Sequence, residues 1–527
     1  MKFFIITLFT YYFYNILKYR KGLYMLQQNI YNEGNRYLKW TLKNKEEVFF
    51  NYDLLSFLLI LLTFFVSQTF YMIAIIIFFL VLSYKELNKI SKEQKKIKFK
   101  VTSRIKRIIM TISLIFILIN LPIVINYNIE YEWIYFLIMF TFTYLSYYIV
   151  YLANIINKPI EKMVYYHFYN KAKKKVIEMN NLKVIGVTGS YGKTSCKEIL
   201  NTILSTKYVS LKTPKSYNTP FGLMITINNM LDKFTNVLIA EMGAYKIGEI
   251  KQICELVSPK YAIITKIGKA HLETFKSEEN IQKGKFELVE HLPSDGVAVL
   301  NKDDEKQTSY EIKNDCKVVW IGIHNDADVM ATNIKLSSSG TTFDVKFKGD
   351  NKKYKFETVL LGEHNVYNIL SAIAMGHELG IEVTKLMYGV KRLMPTEHRL
   401  EMKKGNGYTI IDDAFNSNPD GSSMALDVLK MMKGKKIIVT PGMIELGSIE
   451  YQENYNFGLH IAEVCDEVIL IGEKQTKPIQ DALKAKKYKN VHILNDVRAA
   501  FILIDKLKDN NTFVLLENDL PDSYNEK

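Results

Sequence analysis

The stretch VIGVTGSYGKTSCKEIL at residues 184–200 has the residue types and spacing of a loop that binds phosphate. A strand that ends in glycines and reopens as a helix directs backbone N–H groups and the positive end of the helix dipole at one point, which suits an anion. Lys193 can reach the outer phosphates of a nucleotide, and the Thr194 hydroxyl can bind Mg²⁺. The stretch therefore predicts an ATP site that consists of Thr188, Gly189, Ser190, Tyr191, Gly192, Lys193, Thr194 and Ser195.

Two further residues that could bind a metal follow strand-like runs. Glu241 lies at the end of one such run, and His271 lies just past the end of the next. The carboxyl ends of parallel strands meet at one edge of a sheet, so both side chains are expected beside the phosphate loop. A lone histidine is more often an ordinary surface or core residue. Because Mg²⁺ prefers oxygen, a histidine ligand here indicates a second metal site.

The elements that position these residues are those of an α/β protein. Short apolar runs separated mostly by helical stretches predict a largely parallel sheet, with ligands at the carboxyl ends of its strands. These runs lie at 237–243, 261–268, 297–301 and 317–323.

The composition divides the chain into unlike parts. With 527 residues, about three domains are expected. The net charge of +14 could suggest nucleic acid, but many lysines and arginines lie beside apolar segments of residues 1–160, where membrane orientation explains them better, so we expect no nucleic-acid partner. The four cysteines form no Cys-x-x-Cys pair, which argues against a zinc ribbon or a disulfide framework.

The N-terminal region, residues 1–160, reads as a set of transmembrane helices that contact membrane lipid. A span needs about 20 apolar residues, and one apolar stretch is long enough for a hairpin that turns near Ser67 and Gln68. Two basic segments and an acidic connection predict a multi-pass cell-membrane protein with cytoplasmic catalytic domains, joined by an amphipathic linker at 161–181. The apolar stretches are 3–17, 54–84, 108–125 and 133–152, the basic segments are 85–107 and 158–175, and the acidic connection is 126–132.

Nine motifs in this chain resemble, in order, those of the Mur ligase family. They are TGSYGKT (188–194), SYNTPFG (216–222), EMGAYKIGEI (241–250), KIGKAHLETF (266–275), the lysine of IQKGKFEL (281–288), LNKDD (300–304), GEHNVYN (362–368), HRLE (398–401) and DDAFNSNP (412–419). The resemblance covers about 182–500. It is greatest to the members of the family that add D-alanyl-D-alanine in peptidoglycan synthesis.

The resemblance implies an ADP-forming ligase with a central ATP-binding domain at 182–385 and a C-terminal domain at 386–527. In this family a carboxylate accepts the γ-phosphoryl group of ATP, and an amine then attacks the acyl phosphate. The implied substrates are D-alanyl-D-alanine, or a similar amine, and a muramoyl-peptide. Strand-like runs in the C-terminal part suit a Rossmann-like fold; they lie at 408–415, 435–442, 467–472, 490–495 and 512–517.

The family motifs also imply roles for individual residues. Lys193, His271 and Lys285 would be catalytic, and two Mg²⁺ ions would be held by Thr194, Glu241, His271 and Lys285, the last as a carbamate. ATP would further contact Asn301, Asn365, Asn368, Arg399 and Asp413. The substrates would contact Asn218, Thr219, Asn416 and Asn418.

Several departures from the family pattern leave the acceptor open. Lys266 stands at a usual asparagine position, PGMIELG (441–447) replaces a Gly-Asp-Met spelling, and LLENDLPD (515–522) lacks the usual Lys-Gly-Ser. No uridine-nucleotide domain is recognisable in residues 1–180. A lipid-linked or other cell-envelope carboxylate is therefore an alternative acceptor, and a folate polyglutamate ligase, a transporter and a non-catalytic envelope scaffold are less favoured readings.

Overall fold

The computed structural model describes residues 2–92, 99–125, 131–337, 339–414, 417–444 and 446–519. It divides into two compact units, Met1–His167 and Phe168–Lys527. The described part of the first unit is helical, and residues 161–178 of the predicted linker belong to α8, which begins in the first unit and ends at Glu178 in the second. The helices are α1 (Lys2–Gln28), α2 (Arg36–Lys43), α3 (Lys45–Val48), α4 (Leu54–Phe65), α5 (Gln68–Lys92), α6 (Ser103–Ile125), α7 (Glu132–Tyr144) and α8 (Ser146–Glu178).

The prediction of a multi-pass membrane protein is wrong. Among the described residues, only Gln68–Ser91 forms a single helix that is long and apolar enough to cross a bilayer. Helix α4 is too short at 12 residues, and α7 and α8 are long and apolar enough only together, as a pair that is bent by 73°. The apolar stretches of the sequence are thus divided among short, bent or partly polar helices, whereas a span needs about 20 continuous apolar residues.

The first unit also buries polar groups, which distinguishes it from a set of wholly apolar spans. Lys18 of α1 forms a buried ion pair with Asp53, and Tyr14 donates a 2.6 Å hydrogen bond to the same carboxylate. Part of the segments used to predict orientation, residues 93–98 and 126–130, lies outside the described residues.

The central part of the second unit is built on a nine-stranded sheet with the order β2-β3-β1-β4-β5-β6-β7-β8-β9. The first seven strands in that order are parallel, so the ends of β3, β1 and β4 lie side by side. The strands are β1 (Lys183–Thr188), β2 (Ser210–Lys212), β3 (Val237–Glu241), β4 (Tyr261–Ile264), β5 (Val297–Asn301), β6 (Lys317–Gly322), β7 (Val329–Ser337), β8 (Gly340–Phe347) and β9 (Lys353–Thr358).

Helices cover both faces of this sheet because its strands are buried on both faces. Residues Val237–Glu241 of β3, for example, are all buried. The helices of this part are α9 (Lys193–Leu204), α10 (Pro220–Met230), α11 (Glu249–Val257), α12 (Leu272–Phe275), α13 (Glu278–Glu290), α14 (Glu305–Thr308), α15 (Glu363–Glu378) and α16 (Val383–Lys391).

The strands β7, β8 and β9 form an antiparallel extension that the sequence analysis did not identify. Buried and exposed residues alternate along β8, which is the pattern of a strand with one face on the core. Continuous apolar runs are typical of parallel strands buried on both faces, whereas the alternation along β8 contains no such run.

The C-terminal part contains a six-stranded sheet with the order β10-β11-β15-β12-β13-β14. Only the β10–β11 pair is antiparallel. Its strands are β10 (Glu401–Lys404), β11 (Thr409–Asp413), β12 (Lys435–Thr440), β13 (Glu467–Ile471), β14 (Val491–Leu494) and β15 (Thr512–Glu517), and its helices are α17 (Pro419–Lys430), α18 (Glu450–Val464), α19 (Lys477–Ala485) and α20 (Val497–Leu507).

Candidate functional site

The phosphate loop joins β1 to α9 and requires glycine at two positions. Gly189 has φ +146° and Gly192 has φ +77°, values that side-chain-bearing residues rarely adopt. A Cβ atom on Gly189 would lie 2.1 Å from Thr265 Oγ1, and one on Gly192 would lie 2.8 Å from Asn368 Oδ1. Both the backbone conformation and the space therefore exclude a larger residue. The loop leads into the N-terminal end of α9, where backbone N–H groups suit an anion.

The loop is anchored to the strands around it. The Thr188 hydroxyl is buried and donates to the Met242 carbonyl at 2.8 Å. The Ser190 backbone N–H donates to the Lys266 carbonyl at 2.7 Å, and its hydroxyl donates to the Gly268 carbonyl at 3.0 Å. Thr188 thus anchors the start of the loop to the residue after β3, and Ser190 anchors the next part of the loop to residues after β4.

Lys193 folds back over this loop. Its Nζ atom donates to the carbonyl oxygens of Gly189 at 2.7 Å and Ser190 at 3.1 Å. Burial lowers the pKa of Lys193 to about 8, and the nearby charge of Glu241 partly opposes that shift. The ammonium group is therefore held at the place where phosphate oxygens would meet the loop.

Glu241 is the centre of a buried hydrogen-bond network at the end of β3. Its side chain is 1% exposed. The Thr194 hydroxyl lies 3.1 Å from each of its carboxylate oxygens, Asn218 Nδ2 donates to Oε1 at 3.2 Å, and Lys197 Nζ donates to Oε2 at 3.0 Å. The strand end, the phosphate loop and the 216–222 segment therefore meet at one carboxylate.

Lys197 is a site residue that the sequence analysis missed. Its side chain is fully buried, and besides Glu241 it donates to the Lys215 carbonyl. The available signal was its spacing, since a residue four positions after Lys193 lies on the same face of α9, one turn further on.

Thr194 and Glu241 fit a magnesium ion by their chemistry. A hydroxyl and a carboxylate are oxygen donors, and they stand in contact beside the phosphate loop. Among the described residues, however, no three His, Cys, Asp or Glu side chains gather as a metal cluster. One two-residue oxygen site is therefore present, and the remaining ligands would come from phosphate oxygens and water, as is usual for Mg²⁺.

His271 and Lys285, the other predicted metal ligands, occupy different surroundings. His271 has φ +60°, lies in the cleft wall, and packs its ring 4.5 Å from that of Tyr245. Lys285 is 2% exposed, with its Nζ atom 5.4 Å from the ring centre of Phe275. Burial, reinforced by the charge of Lys193, lowers the pKa of Lys285 well below its usual value. Burial thus favours the neutral amine of Lys285 over its ammonium form.

The three predicted nucleotide-binding asparagines also hold local structure. Asn365 Nδ2 donates to the Leu361 carbonyl at 2.8 Å, and Asn301 Oδ1 accepts from the Asp303 backbone N–H at 2.9 Å. The side chain of Asn368 stands against Gly192 of the phosphate loop. All three line the cleft, so they shape its wall as well as offering amide groups to it.

Arg399 and Asp413 bring the C-terminal part to the same cleft. Burial lowers the pKa of Arg399, and the charges of Asp413 and Glu241 oppose that shift. Burial raises the pKa of Asp413 to about 6, although Arg399 pulls it down. The Leu400 backbone N–H donates to Asp413 Oδ1 at 3.2 Å and fixes one carboxylate oxygen.

Two of the predicted substrate-binding residues cap helices. Asn418 is the N-cap residue of α17, and its Oδ1 accepts from the Gly421 backbone N–H at 2.8 Å. Thr219 is the N-cap residue of α10, and its hydroxyl accepts from the Gly222 backbone N–H at 3.3 Å. Asn416 lies outside the described residues.

These residues surround one cleft of about 870 Å³ between the central and C-terminal parts of the second unit. Fifteen of the predicted site residues line it: Ser190, Tyr191, Gly192, Lys193, Thr194, Ser195, Asn218, Glu241, His271, Asn301, Asn365, Asn368, Arg399, Asp413 and Asn418. The other described residues of the predicted set lie outside its lining: Thr188, Gly189, Thr219 and Lys285.

Ion pairs cross this cleft. The Nζ atom of Lys269, after β4, lies 2.9 Å from Oε1 of Glu453 in α18. The Nζ atom of Lys266 lies 3.7 Å from Oδ1 of Asp420 in α17. Lys266 is the residue that departs from the family's asparagine, and its backbone carbonyl accepts from the phosphate loop. The two parts are thus held facing each other by contacts that begin next to the loop.

Comparison with protein-family models identifies both parts of the second unit. The Mur ligase middle domain matches residues 187–376, and the Mur ligase, glutamate ligase domain matches residues 398–516. Together the two models cover more than half of the chain.

Several curated proteins with similar sequences share one name. The UDP-N-acetylmuramoyl-tripeptide--D-alanyl-D-alanine ligase of Bacillus subtilis is 34% identical over 307 residues, which are 57% of this chain and 65% of that protein. The protein of the same name from Escherichia coli is 31% identical, over 50% of this chain and 59% of that protein. The chain therefore spans somewhat less than two thirds of the length of these two relatives.

Solved structures agree with this placement. The crystal structure of MurF from Acinetobacter baumannii has a TM-score of 0.62 at 26% identity, covering 67% of this chain and 77% of that one. The MurF ligase of Thermotoga maritima in complex with ADP has a TM-score of 0.60 at 24% identity, covering 67% and 80%, and shows the same fold. With the two domain matches and the cleft between them, the chain belongs to the Mur ligase family.

Proposed function

We propose that this protein is an ATP-dependent, ADP-forming acid–amino-acid ligase that joins D-alanyl-D-alanine to the carboxylate of a muramoyl-peptide. The observation that carries the proposal is the single cleft in which the phosphate loop and Glu241 face Arg399, Asp413 and Asn418. The names of the Bacillus and Escherichia relatives support this substrate pair.

The first step activates the carboxylate. A carboxylate oxygen attacks the γ-phosphorus of ATP, ADP leaves, and the carboxylate becomes an acyl phosphate with a good leaving group. Lys193, at the mouth of the loop, neutralises charge on the transferring oxygens. The loop N–H groups at the start of α9 hold the phosphates that stay with ADP.

The second step forms the amide. The neutral amine of the dipeptide attacks the acyl carbon, phosphate leaves, and the nitrogen loses one proton. Asn418 comes from the C-terminal part and lines the cleft, and we assign the incoming amine to its side. Because ATP and amine approach from different parts of the unit, closure of the cleft must precede the reaction.

The proposed cofactor is Mg²⁺, which would neutralise phosphate charge when bound. Thr194 and Glu241 would hold one ion, and His271 would serve a second. Lys197 donates a hydrogen bond to the Glu241 carboxylate and orients it for this role.

Lys285 is proposed to act as a carbamate. Its neutral amine would add to CO₂ and release one proton, which converts the side chain into a carboxylate-like anion. The lowered pKa of the buried amine supports this addition, because only the unprotonated nitrogen is nucleophilic. The resulting anion would be an oxygen ligand suited to the second metal ion.

A second candidate acceptor is a lipid-linked or other cell-envelope carboxylate. The observation in its favour is that the described part of residues 1–167 is helical, whereas a uridine-nucleotide surface of the α/β kind is not found there. The chemistry and the amine would be unchanged. Only the group that presents the carboxylate would differ.

The test measures products of the full-length protein. With ATP, D-alanyl-D-alanine and a soluble UDP-linked muramoyl-tripeptide, we expect ADP, phosphate and a muramoyl-pentapeptide identified by mass spectrometry. Omitting either the dipeptide or the acceptor should stop product formation. Product only with a lipid-linked acceptor would select the second candidate, and ATP turnover that needs neither substrate would refute the ligase proposal.

A further inference from the structure

Asp413 and Glu517 end two neighbouring parallel strands and stand opposite each other. Asp413 is the last residue of β11, Glu517 is the last residue of β15, and the two are paired in the strand register. Asp413 reaches the cleft wall, whereas Glu517 is 1% exposed and lies behind it. The sheet therefore places one carboxyl group at the cleft and a second one directly beside it.

Among the described residues, only one of the two carboxyl oxygens of Glu517 receives a hydrogen bond. The Ser417 hydroxyl donates to Glu517 Oε1 at 2.6 Å. The other oxygen, Oε2, is buried and receives no hydrogen bond from the described residues. The register places the Asp413 carboxyl group beside Glu517, where a hydrogen bond between the two groups would give this oxygen its partner. Two ionised carboxylates have no proton to donate, so this contact requires a proton on one of them.

The charges around Asp413 and Glu517 also indicate one proton on the pair. The charge of Arg399 lowers the pKa of both carboxyl groups against the effect of burial, and Asp412 adds a further negative charge beside Asp413. Asp412 is already paired with Lys403 and His398. Arg399 thus balances one negative charge of the Asp413–Glu517 pair, and a proton must balance the other if the buried site is to be near neutral.

We propose that Asp413 and Glu517 share one proton at neutral pH, and that neutral Glu517 is a positioning residue that donates its O–H to ionised Asp413 and holds that carboxylate toward the nucleotide. The role of Asp413 as a nucleotide contact rests on the proposed function. The sharing of the proton rests on the contacts of this pair.

The direction of the pKa shifts agrees with this assignment. Burial raises the pKa of Glu517 well above its usual value and that of Asp413 to about 6. The shared proton therefore belongs to Glu517, the more deeply buried group. A Gln at position 517 could accept from Ser417 through its carbonyl and donate to Asp413 through its NH₂ group, with no proton to lose.

Infrared difference spectroscopy of the full-length protein tests the proton directly. Near pH 7, wild type should show the C=O band of a protonated carboxyl group that Glu517→Gln lacks. The matched control is Glu467→Gln in β13 of the same sheet, whose carboxylate pairs with Lys435; it should keep the band. The same spectrum for wild type and Glu517→Gln would overturn the shared proton.

Binding of ATP without acceptor or dipeptide tests the positioning role. Glu517→Gln should bind ATP within about twofold of wild type, whereas Glu517→Leu, which leaves Asp413 without its donor, should bind about tenfold more weakly. Equal affinity of the two variants would refute positioning. If Glu517→Leu does not fold, loss of ATP binding in folded Glu517→Gln would also refute it. Neither measurement needs amide synthesis, so failure of the proposed ligase activity would be recognised separately.

Discussion

The Lys197 ammonium lies 3.0 Å from Oε2 of Glu241, and both side chains are almost completely buried. This pair connects the second turn of α9 to the end of β3, next to the phosphate loop. Because Thr194 and Asn218 hydrogen-bond to the same carboxylate, the pair determines the position of the atoms that would meet Mg²⁺.

Replacing Lys197 with methionine should destabilise the protein and reduce turnover. The change leaves the Glu241 carboxylate buried without its cation, a loss that typically costs about 3–5 kcal/mol. Denaturant unfolding and the rate of ADP release measure the two effects. The double variant Lys197→Met/Glu241→Gln should regain much of the stability, because the buried charge is gone, but not the turnover. Full activity of that double variant would contradict a role for Glu241 in catalysis.

Lys285→Ala should bind ATP but lose turnover by about 10²–10³-fold, the usual effect of removing one preorganised charged group. ATP affinity and ADP release are measured on the same preparation. A small added carboxylate should restore part of the rate if the native group is a carbamate. The control is Lys283→Ala on the exposed side of the same helix, which should behave as wild type. Unchanged turnover in Lys285→Ala would exclude the carbamate.

Gly192→Ala should abolish measurable nucleotide binding. The substitution combines a positive φ with a Cβ atom 2.8 Å from Asn368 Oδ1. Gly349→Ala is the control, since Gly349 has φ +82° and open space around it; it isolates the backbone strain, about 1–2 kcal/mol. Calorimetric ATP titration of both folded variants should show binding only in Gly349→Ala. Equal binding would mean that the space around Gly192 is not needed.

The Asp413–Glu517 pair should make stability depend on pH. Both pKa values are raised in the folded state, so the unfolded chain loses its protons at lower pH. The favourable contribution to stability is complete below the usual carboxyl range, about pH 4. It is lost as pH rises through about 6 for Asp413 and through the raised pKa of Glu517. Glu517→Gln should therefore gain stability relative to wild type as pH rises.

Unfolding midpoints of wild type and Glu517→Gln, measured across that pH range, test this dependence. Glu382→Gln, at an exposed position, serves as the control and should follow wild type. A constant difference between wild type and Glu517→Gln at every pH would contradict the prediction.

The sequence by itself determined the strands whose residues are continuously apolar. It also determined the phosphate loop, whose glycines, lysine and threonine have the spacing of an anion site. Strand β5 was predicted with its observed bounds, Val297–Asn301, because all its residues are apolar until Asn301 and it is flanked by polar turns. The bend between α4 and α5 falls beside the predicted turn at Ser67. Local chemistry, glycine at positive φ and apolar periodicity, is sufficient for such features.

The tertiary structure decided which residues meet. The packing of α9 against the end of β3 brings Lys197 to Glu241, 44 positions away, and strand register brings Asp413 beside Glu517, about 100 positions away. The helical unit at the N-terminus gives the same lesson, since apolar content alone predicted several spans, whereas helix length and bending decide whether an apolar stretch can cross a bilayer. Residue type is a local property, but charge pairing, burial and span length depend on how the chain packs.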